Sequence, residues 1–283
     1  MAANPKPAIP PSQSYPTLTA DRLTPTIGAV ISGIDLSKPL SEEQIADLHQ
    51  ALADHQVIFF RNQALDPPSL KRVGQYFGEL QIHALQGLPD HPEVRKLQAD
   101  ANSKHVAGEE WHTDMSCATI PPMGSILYLH TLPTMGGDTV FASMYAAYDA
   151  LSDRMKAYLE GLTATHDGKL AFGRFNPDGK FPVAVHPVIR THPVTGRKVL
   201  FVNKGFTARI NEVPDAESAA ILQFLFHHCE NAYFQVRFRW EPHSVAFWDN
   251  RCTQHLAIWD YFPQLRSGFR VQIADKGGPK ESA

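Results

Sequence analysis

The segment Phe234-Gln235-Val236-Arg237-Phe238-Arg239-Trp240 sets an apolar side chain at every even position and a polar or charged one at every odd position. That period of two belongs to a strand with one face buried and the other wet. Reading outward, His243 to Trp248 and Ser267 to Ile273 carry the same β character, as do Ser125 to Thr131 and Thr139 to Ala142 around the Gly136-Gly137 turn. Val57-Ile58-Phe59-Phe60 is a continuous apolar run, the pattern of a strand covered on both faces. Ile27 to Ile34 reads as a strand entering the fold. Val183 to Thr191 and Lys198 to Asn203 flank the turn residues His192 to Gly196, which predicts a hairpin.

Helices are fewer. Ser41 to His55 opens on a capping box, Ser41 with Gln44, and sets Ile45, Leu48 and Leu52 on one face. Pro68 to Phe77 is a second helix, and Met144 to Leu162 a helical insertion of two pieces meeting near Ser152. Ala216 to Glu230 carries the stripe Ile221, Leu222, Leu225 and Phe226. Many short strands under a few covering helices predict a mainly β protein, a sandwich or jelly-roll barrel.

The chain has 283 residues, 43% of them apolar, enough for one large core. Residues 1–16 are rich in Pro, Ser and Ala and read as a disordered arm. Residues 17–283 read as a single domain without repeats or an interior linker. A formal charge of -3 gives no electrostatic reason to expect nucleic acid or a membrane surface, which leaves a small molecule as the partner. The three cysteines, Cys117, Cys229 and Cys252, form no CxxC pair and fit a reducing compartment. With no signal peptide and no apolar run near the ~20 residues that span a bilayer, a cytoplasmic location is expected.

Chemistry concentrates at Trp111-His112-Thr113-Asp114. In an extended segment His112 and Asp114 point the same way and can meet one ion. His255, at the end of Trp248-Asp249-Asn250-Arg251-Cys252-Thr253-Gln254-His255, is the distant third candidate. Two imidazoles and a carboxylate on one face suit non-haem Fe(II), since the open face can take a chelating 2-oxo acid and O2. Zinc accepts the same donors, and spacing alone does not choose between the metals. Read separately, Asp114 could cap a turn and His255 could be a hydrogen-bonded core histidine.

Taken together, "EEWHTDMS", "GGDTVFASMYAAYDALS", "THPVTGRKVLFVNKGFTARI", "FWDNRCTQHLA" and "DYFPQLRSGFRV" resemble the taurine dioxygenase family of Fe(II)/2-oxoglutarate oxygenases. The resemblance runs from Leu23 to Ile273 and implies a double-stranded β-helix, the cupin-like jelly roll, with His112, Asp114 and His255 as iron ligands. It further implies that Arg266 and Thr139 bind the distal carboxylate of 2-oxoglutarate. His83 and Arg270 match the residues that grip an anionic head group, and Phe172 and Phe206 match two pocket phenylalanines. Gln86 stands where taurine dioxygenases carry a pocket tyrosine, Gly108 lies near the place of an asparagine, and the stretch between Phe172 and Val183 is short. The implied reaction is hydroxylation of a small organic anion, coupled to decarboxylation of 2-oxoglutarate to succinate and CO2. The substrate is expected to be a taurine-like alkylsulfonate, with an aryloxyalkanoate or an alkyl sulfate ester as the alternative. No general base is implied beyond the metal ligands. A zinc-dependent hydrolase is the remote alternative. A homo-oligomer, dimer or tetramer, is common among such relatives.

Overall fold

The computed structural model describes residues 14–82, 87–106 and 108–276. An eight-stranded sheet forms its backbone. In spatial order its strands are Thr19–Arg22, Ala29–Ser32, Val57–Phe60, Ser244–Asp249, Gly124–Thr131, Arg266–Ile273, His91–Ala99 and Gly87–Leu88. A second sheet, Gln235–Phe238, Thr139–Ser143 and Thr253–Ala257, carries one of the candidate ligands. A three-stranded sheet of Thr207–Ile210, Thr163–Asp167 and Val183–Pro187 and a two-stranded ribbon, Ile189–Thr191 with Lys198–Leu200, complete the β set. The molecule is mainly β with covering helices, and its core is a jelly roll.

The core divides by strand parity. Val57, Phe59, Leu127, Leu129, Ala246 and Trp248 of the large sheet pack with Phe141, Val236 and Phe238 of the second sheet. Their neighbours Ile58, Phe60, Ile126, Tyr128, Val245 and Phe247 turn the other way, onto Leu48, Ala51, Leu52, Leu70 and Val73 of two helices. Val57 to Phe60 is apolar throughout because both of its faces are covered. Inside the sandwich, the Phe59 and Phe238 rings stack with centroids 3.9 Å apart. Phe234, Val236, Phe238 and Trp240 are buried, as their alternation predicts.

The helix Glu42–His55 has the Ser41/Gln44 capping box, and the two helices Met144–Asp149 and Asp153–Leu159 meet across the cap Ser152. The next helix runs over Pro67–Gln75, because Asp66 accepts from the Ser69 amide and places a proline in the first turn. The entering strand is shorter than Ile27 to Ile34, confined to Ala29–Ser32 by Gly28 and Gly33 at φ of +89° and +88°. The hairpin expected over Val183 to Thr191 needs correction. Val183–Pro187 pairs with Thr163–Asp167, and only Ile189–Thr191 pairs with Lys198–Leu200. Pro187 has no N–H to extend a ladder, and the chain changes partner beyond it.

Most of the arm expected over residues 1–16 lies outside the described residues. Tyr15 falls within that span but is buried, its hydroxyl donating to Asp54 at 2.9 Å and lying 3.1 Å from His55 Nε2. No helix among the described residues is long and apolar enough to cross a membrane.

Two buried histidines make stability acid-sensitive. Burial, with Arg22 adding to it, pushes His55 down to about 4. Burial, then the neighbouring His186 and Arg190, push His166 down to about 3. Both are neutral in the fold, whereas in the unfolded chain they take up protons near pH 6.5. Their contribution is complete above that pH and is lost as the pH falls toward 4 and 3. Urea unfolding should show stability falling below pH 6.5, at a slope approaching about 2.7 kcal/mol per pH unit from these two groups. Equal stability at pH 7.5 and pH 5 would contradict their neutrality.

Candidate metal centre

Backbone pairing brings the distant ligand candidates together. His112 forms an isolated antiparallel bridge with His255, with N···O distances of 3.1 and 2.8 Å between their backbones. Gly205 permits the close approach of a third segment, since a Cβ there would sit 2.9 Å from His112 Cβ. Asp114 follows two residues on. Its Oδ1 lies 3.5 Å from His112 Nε2 and 3.7 Å from His255 Nε2, and the imidazole centroids are 4.1 Å apart.

The donor chemistry suits a cation. His112 Nδ1 is 2.8 Å from the Glu110 carbonyl, which can only accept, so Nδ1 carries a proton and Nε2 is the nitrogen that faces Asp114. Burial, reinforced by His112, holds the His255 pKa well below the ordinary histidine value, leaving that ring neutral. Burial opposes ionisation of Asp114, but the Arg270 guanidinium overcomes it and keeps the carboxyl well below the usual carboxylate range. Asp114 Oδ2 accepts from Ser125 Oγ at 2.7 Å and pairs with Arg270 Nη2, which leaves Oδ1 toward the imidazoles. Asn250 donates to Ser125 Oγ at 3.2 Å and accepts from Trp248 Nε1, whose ring packs 4.8 Å from His255. Asn250 therefore acts on the Asp114 side of the site, through Ser125.

A second group of potential ligands, His192, Asp249 and Cys252, is buried, with His192 and Asp249 already engaged in hydrogen bonds. Arg251 grips Asp249 through two hydrogen bonds, at 2.9 and 2.6 Å. His192 Nδ1 accepts from the Val194 and Thr195 amides, so its Nε2–H donates to Asp249, 3.0 Å away. Burial, with the Asp249 charge, pushes the Cys252 thiol well above its ordinary value. This cluster holds the turn before His255 and offers no free donor.

Thr139 and Arg266 are joined by a residue that sequence reasoning assigned only to a strand. Trp240 Nε1 donates to Thr139 Oγ1 at 3.0 Å, and the Arg266 guanidinium lies 5.6 Å from the Trp240 ring centroid. Thr139 stands two residues along its strand from Phe141, the register partner of His255. Arg266 is buried and donates through Nε to the Gly137 carbonyl at 3.1 Å, while its buried Nη2 has no hydrogen-bond partner among the described residues.

Phe206 is buried with its ring 6.3 Å from His112, and half-buried Phe172 meets Phe206 edge-on at 5.5 Å. Arg270 reaches the centre directly, through Asp114. His83 and Gln86 lie outside the described residues. Arg95, which sequence reasoning did not single out, is the register partner of Arg270.

Comparison with known proteins agrees with this architecture. A sulfonate dioxygenase of Saccharomyces cerevisiae described as alpha-ketoglutarate-dependent is 34% identical over 273 residues, covering 90% of this chain and 66% of the relative. The chain thus spans about two thirds of that relative's length. A sulfate ester dioxygenase of Pseudomonas putida, also alpha-ketoglutarate-dependent by name, is 35% identical over 263 residues, covering 88% and 86%. The crystal structure of a taurine dioxygenase from Burkholderia xenovorans superposes with a TM-score of 0.83 at 35% identity, covering 93% of each chain. The family model for taurine catabolism dioxygenases matches residues 19–272, and with it this chain belongs to the TauD, TfdA family.

Proposed function

We propose that the protein is a 2-oxoglutarate-dependent dioxygenase that holds Fe(II) with His112, Asp114 and His255 and hydroxylates a small organic anion. The observation that carries the reading is the convergence of two imidazole Nε2 atoms on Asp114 Oδ1. When bound, Fe(II) supplies activation of O2 coupled to decarboxylation of 2-oxoglutarate to succinate and CO2.

The chain's own residues do the rest. Arg266 receives the distal carboxylate of 2-oxoglutarate, and its unpaired buried Nη2 fits that partner. Thr139 shares the carboxylate while Trp240 holds its hydroxyl. Ser125 and Asn250 fix the Asp114 carboxylate, which keeps Oδ1 turned to the metal. Arg270 draws the substrate's anionic head toward the centre. Phe172 and Phe206 exclude water around its apolar body, and His83 and Gln86 complete the pocket. Binding oriented in this way places one C–H bond near the metal, and no side chain is needed as a general base. An aryloxyalkanoate served by the same chemistry is the second reading of the substrate. A zinc hydrolase with the same ligands would give no use to the unpaired Nη2 of Arg266.

Metal removal tests the proposal. Chelation should abolish 2-oxoglutarate-dependent succinate formation, and Fe(II), but not Zn(II), should restore it. Recovery with Zn(II) in the absence of O2 and 2-oxoglutarate would favour the hydrolase.

A further inference from the structure

Two guanidiniums leave the same face of the large sheet. Arg95 lies directly opposite Arg270 in antiparallel register, so their side chains share a face. That face is the sandwich interior. Leu97, two residues from Arg95, packs in the inter-sheet core, while the adjacent Val94 packs on the helix side. Like charges directly opposed destabilise a strand pair. The Nε atoms of both arginines are buried and make no hydrogen bond among the described residues.

Counter-charge is short. Asp114 is the carboxylate that acts on both arginines, and it already pairs with Arg270 Nη2. A carboxylate committed to a metal ion cannot also neutralise two cations. Burial, then the Arg270 charge, lower the Arg95 pKa to about 10, so Arg95 is still a cation at neutral pH. Two partly buried cations that share one carboxylate cost stability, and a bound anion offsets that cost. The shape of the anion follows from donor count. One guanidinium fork spans both oxygens of a planar carboxylate, so a second guanidinium would have to share an oxygen already engaged. A second guanidinium beside it gains a new acceptor when the head group is tetrahedral and presents a third oxygen.

We propose that Arg95 is a specificity-determining residue of the substrate pocket, binding the third oxygen of a sulfonate or sulfate monoester head group whose other oxygens meet Arg270. The inference rests on the dioxygenase reading and narrows its substrate class against carboxylates.

The test uses the Fe(II)- and 2-oxoglutarate-loaded enzyme without O2, titrated with hexane-1-sulfonate and with heptanoate to obtain dissociation constants. The wild type should bind the sulfonate at least about tenfold more tightly. Arg95→Met keeps the apolar stem but removes the charge. It should weaken the sulfonate about 10- to 100-fold, as expected for one charge-assisted hydrogen bond, and change heptanoate less than about threefold. Arg95→Lys should recover part of the sulfonate affinity. No sulfonate preference in the wild type, unchanged sulfonate binding in Arg95→Met, or equal loss of both ligands would each overturn the proposal. In air, succinate release by both proteins separates this failure from that of the dioxygenase reading. Absence of 2-oxoglutarate-dependent succinate from the wild type strikes the reading, whereas intact succinate release with no change in discrimination strikes Arg95 alone.

Discussion

A His255→Ala enzyme is expected to lose its stoichiometric Fe(II) and at least about 10³-fold of its 2-oxoglutarate turnover, well beyond the ~10–100-fold effect of removing an outer-sphere partner. The backbone bridge between residues 112 and 255 uses main-chain atoms, so alanine retains it and the sheet remains closed. What disappears is one imidazole, packed between Trp248 and Phe141. Equilibrium dialysis against Fe(II) reads the loss directly, and succinate release reads its consequence. Wild-type iron content in a folded His255→Ala protein would remove His255 from the ligand set.

The second large effect belongs to Arg266. Arg266→Ala should raise the 2-oxoglutarate concentration for half-maximal turnover by about 30- to 4000-fold, the range for cutting one partner from a buried charge pair at 2–5 kcal/mol. Iron affinity should change little, because Arg266 touches Gly137, Trp240 and Tyr261 and none of the proposed ligands. The protein should also fold normally, since the lost group is a buried cation without a carboxylate partner among the described residues. An unchanged 2-oxoglutarate requirement would send the distal carboxylate elsewhere.

Local signals were legible in the amino-acid sequence, and long-range pairings were less so. Ser41 with Gln44 and the Phe234 to Trp240 alternation each describe a few adjacent residues; the capping box appears as read, and the alternation appears as burial around the shorter strand Gln235–Phe238. The Val183 to Thr191 hairpin failed because its first half pairs with Thr163–Asp167, a strand that polarity had concealed. The register of the large sheet was equally hidden. Nothing in His91-Pro92-Glu93-Val94-Arg95 announces that Arg95 will face Arg270 from 175 positions away in the chain. Trp240 was visible as a buried strand residue, but its link to Thr139 depends on how two strands sit side by side. The same limit applies to the centre itself. Alternation sets His112 and Asp114 on one side, whereas His255 reaches them through a bridge that only the folded chain provides.

The most direct measurement is a crystal structure of the protein grown without O2 in the presence of Fe(II) and 2-oxoglutarate. One metal ion should be bound by His112 Nε2, Asp114 Oδ1 and His255 Nε2, with the distal carboxylate of the keto acid on Arg266 and Thr139. Metal bound at His192, Asp249 and Cys252, or a keto acid that leaves Arg266 unpaired, would contradict the account.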